Sequence, residues 1–199
     1  MLTATYTLVA LSVEQTSVRI GLQSLRQMLQ AYYSAQDALT AAQVDYATSA
    51  MQRLYDTCHW RKLDKFLIPA VRRATRLADD LLAELDALSA QSCDALAVST
   101  VFNGAIDESE QVKAFCAVVN TFCNVLLTRL EREEQDLFPL ARAAVSGDAW
   151  FALANQMLAH AAYLQEHRSD PAPARNTHQV LRPHQEKGAR PGIRLSTLH

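Results

Sequence analysis

The sequence predicts an all-α protein, an up-and-down four-helix bundle with a short fifth helix and a C-terminal tail. Three observations carry this. The body of the chain is rich in Ala, Leu, Gln, Glu and Arg, the strong helix formers. Helix breakers are few, five glycines and six prolines, and Gly188, Gly192, Pro183 and Pro191 all lie beyond Leu181. Apolar residues recur at steps of three and four along four long segments. At 199 residues the chain is long enough to bury a real core. One domain is expected over residues 1–168, followed by a disordered tail over 169–199, where Pro171, Pro173, Pro183 and Pro191 with scattered Arg and His remove any periodicity.

The first helix carries Leu8, Leu11, Val18, Leu22, Leu25 and Leu29, with one polar residue, Gln15, on the stripe. A linker is expected from Tyr33 to Thr40. The second helix carries Val44, Ala47, Met51, Leu54 and Tyr55 and runs through Cys58 and His59 to Leu63, Phe66 and Leu67. Pro69 lies inside that pattern, which predicts a kink or break just before it. The third helix carries Ala74, Leu77, Ala78, Leu81, Leu85 and Leu88, then fades into a long loop from Ser89 to Asp107. The fourth has Val112, Val119 and Leu126 on one row, with Cys116, Cys123, Leu130 and Leu137 beside it. After Gly147-Asp148 comes the short fifth helix, with Trp150, Leu153, Ala154, Met157, Ala161 and Leu164.

One stretch is written twice. Asp64, Leu67, Pro69, Arg72 and Ala74 recur seventy positions on as Glu134, Leu137, Pro139, Arg142 and Ala144. A match at fixed offset on polar as well as apolar positions indicates one structural unit used twice.

Several function classes are disfavoured. A net charge of -2 argues against a nucleic-acid surface. Cys58, Cys93, Cys116 and Cys123 show no close pairing and read as small apolar residues in a reducing compartment. The apolar start has no Lys or Arg before it, and no segment reads as a bilayer span, so a cytoplasmic protein without membrane contact is expected. No nucleophile–base pair or phosphate loop is visible, and an enzyme is not expected.

Bundle cores host sites made from inward-facing carboxylates and histidines. Glu133 continues the row Val112, Val119, Leu126 and should face inward. Arg129 is one turn earlier, on the row of Phe115 and Phe122, and His59 follows Tyr55 on a comparable row. Glu133-Glu134-x-x-Leu137-Phe138-Pro139 resembles the end of the signature of hemerythrin-like (HHE cation-binding) domains. His59 with Asp64, Leu67 and Pro69 resembles it too, as does Glu14-Gln15-x-x-Val18-Arg19. The resemblance covers about residues 5 to 165. It implies a non-haem diiron centre held by one His on each of helices 1 and 3 and a His-x-x-x-Glu pair on each of helices 2 and 4.

Carried over position by position, helix 1 has Gln15. Helix 2 has His59 and Leu63, helix 3 has Ala78 (or Asp79 one residue on), and helix 4 has Arg129 and Glu133. Two of the six expected ligands, His59 and Glu133, survive. Arginine has only N–H donors and cannot ligate. The expectation is therefore a core charge pair, Arg129 with Glu133, in place of the metal. No cofactor is expected, and the module is taken to act through contact with a protein partner. The alternative is non-haem iron or another cation on His59, Glu133 and Asp79, for dioxygen or nitric oxide binding or sensing. His59-x-x-Lys62 also resembles the phosphoacceptor helix of histidine phosphotransfer bundles, but Leu63 stands where the following glycine belongs.

Overall fold

The computed structural model describes residues 2–59 and 61–169, and the side chains of 2–59 and 61–166. The tail expected past Ser169 lies outside the described residues. The fold is all-α: α1 (Leu2–Met28), α2 (Ala41–His59), α3 (Ile68–Ala74), α4 (Asp79–Ser99), α5 (Ser109–Arg132), α6 (Phe138–Ala144) and α7 (Gly147–Ser169). Five-residue π-helical turns follow α1 (Leu29–Tyr33), lead into α3 (Leu63–Leu67) and join α5 to α6 (Glu133–Leu137). Among the described residues no strand forms. One antiparallel bridge, Leu39 to Ile106, ties the loop before α2 to the loop before α5. In that second loop Gly104 takes φ +86°, the left-handed region open to glycine.

The sequence echo is also an echo of structure. Adding 70 to the bounds 63–67 and 68–74 of the first π turn and its helix gives 133–137 and 138–144, the bounds of the second. Both short helices carry proline in their first turn, where its missing N–H costs nothing. The break expected before Pro69 is thus a π turn, and Pro139 has the same one. Both short helices then end on an extended residue, Thr75 or Val145.

Three boundaries differ from the expectation. The third helix does not begin at Ala74. Thr75 is extended and its Oγ accepts from the Leu77 amide at 3.1 Å, which turns the chain and leaves Leu77 exposed before α4 starts at Asp79. The long loop from Ser89 does not form, because α4 continues to Ser99. Its stripe carries on in small residues, with Ser92, Ala95 and Ser99 buried, and the serine hydroxyls bond back to carbonyls one turn earlier. Serine there saves space against α5 rather than breaking the helix. The fifth helix is not short: α7 has 23 residues. Its buried side chains, Trp150, Leu153 and Met157, lie in the first half; further on His160 packs edge-on against Phe66, while Ala161 and Leu164 are exposed.

The expected linker ends at Thr40, and α2 begins at Ala41. Thr40 N donates to Gln43 Oε1 at 2.8 Å and Gln43 N to Thr40 Oγ1 at 3.3 Å, a capping box.

α4 and α5 share the longest contact. α1 packs on α5, α2 and α7, and α2 on α4. The core falls into two parts. One joins Val18, Leu22 and Leu25 of α1 to Met51 of α2 and to Phe115 and Phe122 of α5. The other joins Leu11 of α1 to Leu67, Val71, Leu85, Leu137 and Trp150. The helical run from Ser109 to Ala144 is long and apolar enough, by length and composition, to cross a bilayer, contrary to the reading of the sequence. Its apolar rows are the ones buried here against α1 and α4.

Candidate functional site

Between the two parts of the core lies a layer of charge. On α1, Gln15 separates Leu11 of one cluster from Val18 of the other. After α2, Arg61 separates Cys58 from Leu63, and Arg129 at the end of α5 and Glu133 at the start of the π turn that follows lie between Leu126 and Leu137. All four polar residues are buried, and Glu133 is 0% exposed.

The heptad rows of α5 explain two of them. Val112, Val119 and Leu126 lead to Glu133, and Phe115 and Phe122 lead to Arg129, so both side chains inherit a buried direction. At Glu133 the helix widens into its π turn, a feature often found at functional sites.

Glu133 is fully engaged. Its Oε2 accepts from Gln15 Nε2 at 2.8 Å and from Arg61 Nη1 at 2.8 Å, and its Oε1 accepts from Arg61 Nη2 at 2.6 Å. The Arg61 contact is a bidentate fork, the strongest geometry for this pair of groups. Arg61 Nε donates to the Cys58 carbonyl at 3.1 Å, which fixes the fork in place. Arg129 Nε comes within 3.4 Å of Glu133 Oε1, close enough for an ion pair but outside hydrogen-bond geometry, and its Nη2 donates to Asp64. Asp64 also stands 3.6 Å from Arg61 Nη2. Two guanidiniums thus face two carboxylates, and the cluster is formally neutral.

The electrostatics follow from burial. Desolvation pulls the pKa of Arg61 down, but the charge and hydrogen bonds of Glu133, with Asp64 behind, outweigh it and hold Arg61 above its ordinary value. Arg61 is a permanent cation here. Burial likewise pushes the Cys58 thiol up, which keeps it neutral beside the two arginines. A second tier of pairs surrounds the buried one: Lys62 Nζ to Glu14 at 2.7 Å, Arg19 to Glu134 at 3.0 Å and Arg132 to Glu84 at 2.6 Å.

The residues expected from the sequence are divided. Glu133, Arg129 and Gln15 are inside and within one network. His59 is not on a core row: Cys58 is the buried residue of that turn, and His59 is exposed and stacked on Tyr55, ring centroids 6.1 Å apart. Asp79 is on the surface at the start of α4, 3.5 Å from Arg76, while Ala78 is the buried residue. His59, Asp79 and Glu133 are therefore not brought together. Among the described residues no group of three or more His, Cys, Asp or Glu is placed to hold a metal ion. The pairing of Arg129 with Glu133 is the weaker part of a larger arrangement whose principal member, Arg61, sequence reasoning missed. Arg61 follows the end of α2 and precedes the π turn, so helical phase counted through His59 no longer applies. The break foretold by Pro69 was the available signal.

A diiron centre does not fit these residues. Arg61 and Arg129 offer only N–H donors and positive charge, and Leu63 and Ala78 offer no donor atom, while His59 and Asp79 face outward. No family model, curated protein or solved structure matches this chain.

Proposed function

We propose that the chain is a hemerythrin-like, up-and-down four-helix bundle with an added helix. Its diiron position is taken over by a salt-bridge cluster, and it works in the cytoplasm as a non-catalytic binding or regulatory module. The observation that carries this is Glu133. A carboxylate at a ligand position of the resembled family is fully buried and takes a bidentate arginine and a glutamine amide instead of a cation. The cations that would repel a metal are built into the core, and removing one of two buried, paired charges is far costlier than keeping both. Gln15 supports the same reading, since it stands at the helix 1 ligand position and has become a donor to Glu133.

The test is elemental analysis of protein expressed in iron-supplemented medium, together with its visible spectrum. Iron far below one atom per chain and no absorption band are expected. Near-stoichiometric iron with an oxo-bridge charge-transfer band would contradict the proposal.

A further inference from the structure

Helix α1 has two apolar faces, and the fold uses one. Leu11, Val18, Leu22 and Leu25 are buried, whereas Leu2, Tyr6, Val9, Val13 and Ile20 are between 57% and 90% exposed. With Thr16, the outer residues follow one another at alternating steps of four and three, the spacing of a coiled-coil seam. A surface helix ordinarily turns charge outward. Here Leu2 to Val18 contains one charged side chain, Glu14, and it is held by Lys62 at 2.7 Å. Arg19 is likewise held, by Glu134 at 3.0 Å. As far as Val18 the positions flanking the seam are small and uncharged: Thr3, Ala10 and Ser17 on one side, and Thr5, which accepts from Arg142 at 3.3 Å, and Ser12 on the other; the next on that second side is the paired Arg19.

We propose that this seam docks a second copy of the chain, α1 against α1, about a two-fold axis. In such a contact the same patch meets itself, so any charge within it faces its like. An uncharged seam with small flanks satisfies that condition and lets two identical helices approach closely. The area suffices: five large side chains at roughly 100 Å² each bury about 500 Å² per copy. The pair then buries about 1,000 Å², the lower range for a specific interface. The dimer is independent of the charged layer, whose residues lie on the other side of α1.

Sedimentation equilibrium of the full chain between about 1 and 200 µM, the range in which a small specific interface associates measurably, tests the proposal. The expected result is a monomer–dimer equilibrium. The double variant Val9→Glu with Val13→Glu should be monomeric throughout, as should Val9→Lys with Val13→Lys. An equimolar mixture of the two should dimerise again, which misfolded chains would not do. Leu158→Glu, at an exposed apolar site on α7, should leave the equilibrium unchanged. If the charged variants lose helicity, Val9→Ser with Val13→Ser is the substitute, and a Kd raised roughly tenfold or more is expected. A wild-type chain that stays monomeric over the whole range overturns the proposal, whether or not it binds some other protein. So does a dimer indifferent to the seam variants, or one that Leu158→Glu also dissociates.

Discussion

Glu133 is held by unequal partners, and their inequality can be measured. Gln15 supplies one of two hydrogen bonds to Oε2, the other coming from Arg61. A buried hydrogen bond to a charged acceptor is worth about 1.5–3 kcal/mol, and a leucine in its place recovers some apolar burial. Gln15→Leu should therefore destabilise the fold by about 1–2 kcal/mol in urea unfolding. Arg19, four residues on, is a third exposed and pairs with a largely exposed Glu134, so Arg19→Ala should change stability by less than about 0.5 kcal/mol. Equal effects at the two positions would mean that the buried acceptor gains nothing from its glutamine. Glu133 and Arg129 were legible because the seven-residue rows of α5 run unbroken into them. Arg61 was not, because the chain between α2 and the π turn shifts the phase from which an inward direction could be counted.

The helices show where composition misleads. Ser89, Ser92 and Ser99 read as a loop signal, yet each hydroxyl finds a carbonyl three or four residues back and the helix continues. Ser92 is 0% exposed on α4, the helix with the longest contact to α5. Ser92→Leu restores helix propensity but overfills that contact, and should cost about 1–3 kcal/mol by thermal or urea unfolding. A gain in stability would return this stretch to the reading in which serine is a weak helix former at the end of its helix. The π turns were half legible. The seventy-residue echo and the two prolines marked both places, but an inserted residue leaves no trace in apolar spacing until the register on either side is known.

At the scale of the whole molecule, two apolar clusters are separated by a layer in which charge is balanced internally. In that layer the charge and hydrogen bonds of Glu133 hold Arg61 above its ordinary value. Among the groups whose proton affinity folding changes are the buried thiols and Tyr33. Burial raises Cys58 and Tyr33 and pushes Cys123 up to about 12. Each binds its proton more tightly folded than unfolded. Above the unfolded pKa of about 9 for the thiols the unfolded chain therefore carries fewer protons, and stability falls as pH rises. The stabilising contribution should be fully present below about pH 9 and lost between pH 9 and 12. Urea midpoints across that range check it, and a Cys123→Ala variant should lose part of the alkaline decline. The all-α class was legible from composition and period alone. The layer was legible only in part, because it is assembled by three segments distant in sequence, around Gln15, Arg61 and Glu133, and the phase of the second is shifted between α2 and its π turn.

The central claim is that Arg61 and Glu133 sustain one another as the charged heart of the core, and a double-mutant cycle with Arg61→Met and Glu133→Leu tests it most directly. Each single substitution leaves a buried charge without its main partner and should cost about 3–5 kcal/mol. The double variant should be well above the sum of the singles in stability, with a coupling of about 2–3 kcal/mol. Singles that add to within about 0.5 kcal/mol would mean that the two side chains do not sustain one another, and the account would fail.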